Sequence, residues 1–144
     1  MHLYHYTVRS SALEIVKAGV IRAHPHSLKK YLIGSGPTRT TDPVVWLTTY
    51  PAFEATILCK MQCSGHPLAT LTRFVVRVKG LSLDDYIVRS RIPVRWWKNV
   101  VLTGRMAGAE TSEWRLYPGD IPNDLWVEVN QLSADLQAWV PFVV

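Results

Sequence analysis

The chain has little cysteine and no long apolar run, and both absences limit what it can be. Two cysteines among 144 residues are too few for a secreted domain that depends on disulfides. No apolar run approaches the ~20 residues that a membrane-spanning helix needs. The first residues lack the basic start, apolar stretch and cleavage site of an export signal. We therefore expect a cytoplasmic protein that does not contact a membrane.

The two cysteines also argue against a metal centre. Cys59 and Cys63 lie four residues apart, and His66 follows three residues later. On a helix the two thiols would share one face. This spacing is not a recurrent zinc pattern, and no fourth ligand is evident. We predict two buried thiols and no bound metal.

Several common catalytic motifs are missing as well. The sequence contains no Walker-type phosphate loop and no Gly-x-Gly-x-x-Gly after a strand. It also lacks the Gly-x-Ser-x-Gly elbow of the α/β-hydrolases. His24 and His26 form a pair in a flexible basic loop, but no cysteine or acid accompanies them there. We interpret that pair as structural or incidental.

The composition is that of one ordinary globular domain with an excess of positive charge. Hydrophobic residues make up 48% of the chain and charged residues 19%. No repeat or linker divides it, so we predict a single domain over residues 1–144. The net charge of +5 attracts polyanions. The densest basic cluster contains Arg91, Arg95 and Lys98, which suggests a nucleic-acid or protein partner, although solvated surface charge explains it equally well.

Two capped helices are predicted in the first half of the chain. Residues 3–7 alternate as a strand, with His5 and Thr7 on one face and Tyr6 on the other. Ser11 and Glu14 have the spacing of a capping box, and Gly19 supplies a helix stop. A buried strand is expected over residues 44–48. Pro51 then suits the first turn of a second helix, which we expect to run to about Met61.

The second half reads as a series of short strands. Alternation over residues 70–79 predicts a strand that is half exposed, and residues 81–86 predict a short helix or turn. Further strands are expected over residues 99–102, 113–117 and 125–129, with an edge strand in 139–144. No crossover helix of adequate length is evident, which disfavours a parallel sheet. The prediction is an α+β fold with two helices, both in the N-terminal half.

Three short segments resemble proteins of the ADP-ribosyltransferase fold. They read Leu-Tyr-His-Tyr-Thr at 3–7, Val-Trp-Leu-Thr at 45–48 and Ser-Glu-Trp-Arg at 112–115. Their order is similar to that of the diphtheria-toxin and poly-ADP-ribose-polymerase group. The rifampicin ADP-ribosyltransferases and the RNA 2′-phosphotransferases are further similar groups. The resemblance implies a split β-sandwich that binds NAD as a substrate.

The resemblance also implies roles for individual residues. Glu113 would stabilise the positive charge that develops on the ribose when the nicotinamide bond breaks. His5 and Thr7 would bind the ribose and the nicotinamide amide, and Trp46 would pack against the nicotinamide ring. Further NAD-binding residues would be Tyr6, Thr48, Tyr50 and Arg115. The alternative is that His5 and Trp46 are core residues and that Glu113 only marks an exposed face.

Other assignments stay open at this stage. Tyr31 is a second candidate for ring stacking, and Glu110 is an alternative catalytic acid. Trp46 stands where the family has a tyrosine, and Ile57 and Leu58 stand near the expected second tyrosine. Such departures admit a degenerate, non-catalytic member.

The acceptor of the ADP-ribose is less defined than the donor. Thr111 stands two residues before Glu113, where arginine-modifying relatives have Glu or Gln, so an arginine acceptor is disfavoured. Nucleic acid, another protein side chain or a small molecule remains, and a toxin-like or phage-conflict role would suit so small a domain.

Two other functions compete with ADP-ribosyl transfer. One is the transfer of a 2′-phosphate from RNA to NAD, in which Arg9, Arg73 and Arg77 would have to bind the phosphates. The other is a binding module without catalysis. Its basic and aromatic patch would consist of Arg91, Arg95, Trp96, Trp97 and Lys98.

Overall fold

The computed structural model describes residues 1–28 and 39–144, and its elements alternate between short strands and helices. The strands are β1 Leu3–Val8, β2 Val20–Ile21, β3 Val45–Thr48, β4 Leu71–Val76, β5 Leu81–Ser82, β6 Trp114–Tyr117, β7 Ile121–Pro122, β8 Trp126–Leu132 and β9 Trp139–Pro141. The helices are α1 Arg9–Ala18, α2 Ala55–Ser64, α3 Leu83–Ser90 and α4 Val94–Met106. None of these four has the length and apolar content that crossing a bilayer requires. Tyr31 lies outside the described residues.

Seven of the strands form one antiparallel sheet. Their order is β5-β6-β3-β1-β4-β8-β9, and every neighbouring pair is antiparallel. Strands β2 and β7 form a separate two-stranded ribbon. Helices and an antiparallel sheet therefore share one fold, and the predicted α+β class is confirmed.

The pairing of β1 with its two neighbours is unequal. Six residue pairs join β1 to β4, from Leu3 opposite Val76 to Val8 opposite Leu71. A single registered pair, Tyr4 opposite Thr48, joins β1 to β3. We call this boundary the β1–β3 seam. It lies in the middle of the sheet, between the strands that carry two of the three motif segments.

One face of the sheet is packed with mainly aliphatic side chains and closed by α1 and the β2–β7 ribbon. The fully buried members of this cluster are Leu3, Ala12, Ile21, Val45, Leu47, Phe74, Val76 and Ile121. Because residues of a strand alternate between faces, Leu3 points here while Tyr4 and Tyr6 serve the other side. We call this side the closed face.

The opposite face is rich in aromatic side chains and is covered by α2, α3 and α4. One cluster contains Tyr86, Trp96, Trp97 and Trp114 together with Leu116. A smaller cluster joins Tyr6 and Leu71 of the sheet to Met61 of α2. We call this side the aromatic face.

The first helix differs from prediction at its start. Helix α1 begins at Arg9, and its N-cap residue, Val8, makes no capping hydrogen bond. The predicted capping box of Ser11 and Glu14 is therefore wrong, because the strand leads directly into the helix and the N-cap residue lies three positions earlier. Its end is confirmed: Gly19 adopts a left-handed φ of 70° and donates its N–H to the carbonyls of Ile15 and Val16.

Helix α2 also begins later than predicted. It starts at Ala55, and the carboxylate of Glu54 accepts a hydrogen bond from the backbone N–H of Ile57. Pro51 therefore does not lie in the first turn, and that prediction is wrong. The helix ends at Ser64, three residues beyond the predicted end near Met61, and Gly65 caps it with a φ of 71°.

The largest error concerns the second half of the chain. Residues 99–102, predicted as a strand, lie inside the 13-residue helix α4. The prediction of two helices, both in the N-terminal half, is wrong, since α3 and α4 follow β5. The run of Val100, Val101 and Leu102 has strand propensity. Trp97 and Gly104 are both buried and lie seven residues apart, on one face of a helix, and this packing favours the helix.

Burial corrects two further predictions. Strand β4 is buried on both sides rather than half exposed, since Phe74 is 0% and Val75 is 4% exposed. Cys59 and Cys63 are exposed on α2, so the buried-thiol prediction is wrong. No group of three or more potential metal ligands occurs in residues 1–28 and 39–144. The predicted strands at β3, β6, β8 and the edge strand β9 are confirmed.

Candidate functional site

The three motif segments lie on neighbouring strands. His5 is on β1, Trp46 is on β3, and Glu113 immediately precedes β6, and these strands follow one another in the order β6-β3-β1. The His5 imidazole contacts the Trp46 carbonyl oxygen at 3.1 Å from its Nδ1 atom. The Thr49 N–H donates to the Glu113 carbonyl oxygen at 3.1 Å. Hydrogen bonds thus connect each motif segment to the next.

A cavity of about 350 Å³ opens beside these strands on the aromatic face. Tyr4, Thr48 and Trp114 form one row across its floor, because Tyr4 pairs with Thr48 and Thr48 pairs with Trp114. The Trp46 ring meets the Trp114 ring edge-on, with centroids 5.3 Å apart. We call this space the aromatic cavity.

Helix α4 closes the aromatic cavity from above at a glycine. A Cβ atom on Gly104 would lie only 2.3 Å from Cη2 of Trp114 and 3.1 Å from Cγ2 of Thr111. No real Cβ atom tolerates such a contact, so the helix approaches the indole this closely only because residue 104 has no side chain. Gly104 therefore sets the depth of the cavity.

A second cavity of about 430 Å³ adjoins the first. Thr48, Glu54 and Trp114 line both of them. Its other walls include Tyr50 and Glu110, and the Glu110 carboxylate accepts a hydrogen bond from the Ser112 hydroxyl at 3.0 Å. Glu54 therefore lies where the two cavities adjoin.

His5 is held as a neutral imidazole at the β1–β3 seam. A carbonyl oxygen only accepts hydrogen bonds, so the contact with Trp46 places the proton on Nδ1. Burial lowers the pKa of His5 below its ordinary value of 6.5, and nearby His26 and His24 lower it further. The second ring nitrogen, Nε2, is then a hydrogen-bond acceptor. His5 is one of the residues that line the aromatic cavity.

Tyr6 lines the aromatic cavity but uses its hydroxyl for the fold. The hydroxyl donates to the carbonyl oxygen of Tyr50 at 2.7 Å and so ties β1 to the segment after β3. Burial raises the pKa of Tyr6, which keeps the hydroxyl protonated. Tyr50 itself lines only the adjoining cavity of the two.

The predicted residues are therefore brought together only in part. His5, Tyr6, Trp46 and Thr48 surround the aromatic cavity. Thr7 pairs with Thr72 on β4 and lines neither cavity.

Glu113 and Arg115 lie beside the cavities without lining either of them. The Glu113 carboxylate accepts a hydrogen bond from the Thr49 hydroxyl, directly after the cavity residue Thr48. The Arg115 guanidinium donates to the carbonyl oxygens of Ser112 and Trp114, each at 2.8 Å. Glu113 is thus fixed next in sequence to Trp114, which lines both cavities, whereas Arg115 binds the backbone at the start of β6.

Glu54 is a site residue that the sequence did not reveal. Its carboxylate accepts hydrogen bonds from the Trp114 indole at 3.2 Å, from the Ile57 N–H at 3.0 Å and from the Thr56 hydroxyl. It lines both cavities. Glutamate is not a preferred N-cap residue, so the cap pattern gave no cue. The one cue in the sequence to this N-cap is that an acidic residue stands three positions before the apolar Ile57.

The three arginines that phosphate transfer would need are engaged elsewhere. Arg9 donates to the Gln131 side chain and to the Val143 carbonyl, each at 2.6 Å. Arg73 donates to Asn130, and its guanidinium lies 4.5 Å from the centre of the Trp139 ring. Arg77 donates to a backbone carbonyl at 3.3 Å. None of the three lines the aromatic cavity.

The basic surface around α4 is present, but its aromatic part is not. Arg91, Arg95 and Lys98 are exposed, as a surface that binds a partner requires. Trp96 and Trp97 are only 8% and 1% exposed, so the predicted basic and aromatic patch is wrong in its aromatic half. The indoles pack inward because α4 turns that face to the sheet.

Comparison with known proteins gives this chain no relatives. Neither the models of protein families, nor the curated proteins, nor the solved structures contain a significant match. A function must therefore be argued from the geometry of the site.

Proposed function

We propose that this chain is an NAD-dependent ADP-ribosyltransferase with an ADP-ribosyltransferase-like split β-sandwich. The observation that carries the proposal is the adjacency of the three motif segments. Residues His5, Trp46 and Glu113 are far apart in sequence, yet their strands are neighbours and hydrogen bonds join them in turn. The poorly paired β1–β3 seam is where a sheet of this kind would split.

The chemistry needs a carboxylate near the ribose. When the bond between the nicotinamide nitrogen and ribose C1′ breaks, its electron pair leaves with nicotinamide and positive charge develops on the ribose. A fixed negative charge lowers the energy of that transition state. In the proposal Glu113 provides it, and the Thr49 hydroxyl holds its carboxylate in place.

The neighbouring residues suit the two parts of the substrate. In the proposal His5, a neutral residue of the cavity lining whose Nδ1 contacts the Trp46 carbonyl, binds the ribose. The Trp46 and Trp114 rings give flat apolar walls for a nicotinamide ring. The aromatic cavity, at about 350 Å³, lies at the lower end of the size range of ligand pockets, and the adjoining cavity extends it.

The proposal is tested by nicotinamide release from NAD with Glu113→Gln. Removing a charge that stabilises the transition state should lower kcat by roughly a hundredfold or more while KM changes little. Glu14→Gln, an exposed site on α1, makes the same charge change away from the cavities and should leave kcat unchanged. Glu110→Gln tests the alternative acid. Full activity in Glu113→Gln, or no release by the wild-type protein, would refute the proposal.

We propose nucleic acid as the acceptor. The exposed cations Arg95 and Lys98 lie one turn apart on α4, and exposed Arg91 precedes that helix. The net charge of +5 favours a polyanion. The same assay with labelled NAD and added DNA or RNA follows transfer of ADP-ribose to the polymer. Label that enters only protein, or only free ADP-ribose, would exclude this acceptor and leave NAD cleavage standing.

A further inference from the structure

The aromatic cavity has an uneven distribution of charge. Among the described residues that line it, Glu54 is the only acid. The other titratable groups that line it besides the tyrosines are His5, His26 and Lys60. Burial lowers the pKa of both histidines, so both are neutral at neutral pH, and Lys60 is exposed on the outer side of α2. The carboxylate of half-buried Glu54 is therefore screened by solvent less than the exposed ammonium of Lys60.

The Glu54 carboxylate is fixed in position. It accepts hydrogen bonds from the Trp114 indole, the Thr56 hydroxyl and the Ile57 N–H, which come from two different elements. A carboxylate restrained in this way loses little side-chain freedom when a ligand binds. Its charge can then act on a ligand without reorganisation.

The aromatic walls, like the Glu54 carboxylate, favour a positively charged ligand. Trp46, Trp114, Tyr4 and Tyr6 line the cavity together with Glu54. The face of an aromatic ring carries partial negative charge, and it attracts organic cations, most strongly when water is excluded. A flat cation gains both ring contact and charge attraction here, whereas a neutral ring of equal shape gains only the ring contact.

We infer that Glu54 makes the aromatic cavity selective for a flat organic cation, the positively charged nicotinamide ring, over the neutral ring of the same shape. The identity of the ligand rests on the proposed function; the preference for a cation rests on the cavity. Cleavage of the glycosidic bond returns an electron pair to the ring nitrogen, so the released nicotinamide is neutral. The same carboxylate that binds the substrate ring therefore has no charge attraction for the product.

Binding of 1-methylnicotinamide and nicotinamide tests this inference. The two probes share the ring and the amide, but only the first is a cation. Titration followed by tryptophan fluorescence, with calorimetry as a check, should show roughly tenfold or tighter binding of the cation to the wild-type protein. Glu54→Gln should reduce that preference to about twofold or less, chiefly by weakening the binding of the cation.

Three further variants control the result. Glu54→Asp keeps the charge and an N-cap oxygen, and should still prefer the cation. Glu14→Gln removes a distant exposed charge and should keep the wild-type preference. Lys60→Gln removes an exposed positive charge from the cavity lining. It should tighten binding of the cation about two- to threefold and leave binding of nicotinamide unchanged. Because Lys60 is exposed, this variant reports on the cavity charge even where Glu54→Gln does not fold.

The outcomes separate the two proposals. Equal binding of both probes by the wild-type protein, no binding of either at millimolar concentration, or an unchanged preference in folded Glu54→Gln would overturn the inference. NAD cleavage by Glu113-dependent chemistry would still stand in each case. A clear cation preference without NAD cleavage would instead refute the proposed function and leave the cation site intact.

Discussion

The two faces of the central sheet are built from alternate residues of the same strands, yet they differ in what they contain. The closed face holds mainly aliphatic side chains beneath α1 and the β2–β7 ribbon. The aromatic face holds indole and phenol rings beneath α2, α3 and α4, and both site cavities lie there. Strand β1 shows the contrast within six residues, since Leu3 enters the closed face while Tyr4 and Tyr6 line the cavity.

Side-chain shape explains this difference. Branched aliphatic groups interdigitate and leave few voids. The Trp46 and Trp114 rings meet at 87° in the lining of the aromatic cavity, where residue 104 of α4 has no side chain to fill space. The comparison therefore assigns stability mainly to the closed face and binding mainly to the aromatic face, and three substitutions test it in order of expected effect.

The largest effect is expected for Phe74→Ala on the closed face. Phe74 is 0% exposed and packs against Trp126 with ring centroids 5.0 Å apart. Truncation should cost about 3–5 kcal/mol of the free energy of unfolding, because it removes apolar contacts and leaves a void. Urea unfolding measures this cost. Trp46→Ala removes a larger side chain but borders existing space, so we expect it to cost less.

The order of the two losses in unfolding free energy shows whether the two faces differ in packing. If side-chain size alone sets the cost, Trp46→Ala is the more damaging change. That result would mean that the aromatic face is as tightly packed as the closed face.

An intermediate effect is expected for Gly104→Ala. Alanine normally stabilises a helix interior by about 1 kcal/mol relative to glycine. Here the new Cβ would meet the Trp114 ring, so we expect a loss of about 1–3 kcal/mol from overpacking and weaker ligand binding. Thermal unfolding and the probe titration measure the two effects. Leu102→Ala, an exposed site on the same helix, should change neither; a stabilised Gly104→Ala would show that α4 shifts freely.

The smallest effect is a pH dependence at the seam. Burial lowers the pKa of His5, so the unfolded chain takes up a proton near pH 6.5 while the folded chain does so only at lower pH. The free energy of unfolding should therefore fall as the pH drops below about 6.5, by at most about 1.4 kcal/mol per pH unit, and the His5 contribution should be constant above that pH.

His5→Gln should flatten this slope while keeping a donor for the Trp46 carbonyl. His26, whose pKa burial also lowers, contributes to the slope that remains. His66→Gln is the control, since His66 is exposed after α2. Denaturant titrations between pH 4.5 and 8 would contradict the assignment if His5→Gln kept the full wild-type slope.

Local pattern predicted the strands better than the helices. Alternation located β1, and the three motif segments turned out to lie on adjacent strands. Helix α4 was missed because Val100, Val101 and Leu102 favour a strand in isolation, whereas the packing of Trp97 and Gly104 decides the element in the folded chain.

The site was harder to predict than the fold because its contacts join distant parts of the chain. Glu54 becomes a cavity residue through a hydrogen bond from Trp114, which lies 60 residues away. No local pattern carries that information. The same holds for Glu113, whose partner Thr49 is 64 residues distant and whose carboxylate lies beside the cavities rather than in their walls.

The β1–β3 seam makes the sheet resemble two plates joined at a hinge. One plate contains β1, β4, β8 and β9, and the other contains β3, β5 and β6. Each plate keeps its own ladders, while Tyr4 and Thr48 form the single registered pair between them. The angle between the plates can therefore change at the expense of very few backbone hydrogen bonds. Opening the sheet along this line would also have to break the side-chain contacts of His5 with the Trp46 carbonyl and of Tyr6 with the Tyr50 carbonyl.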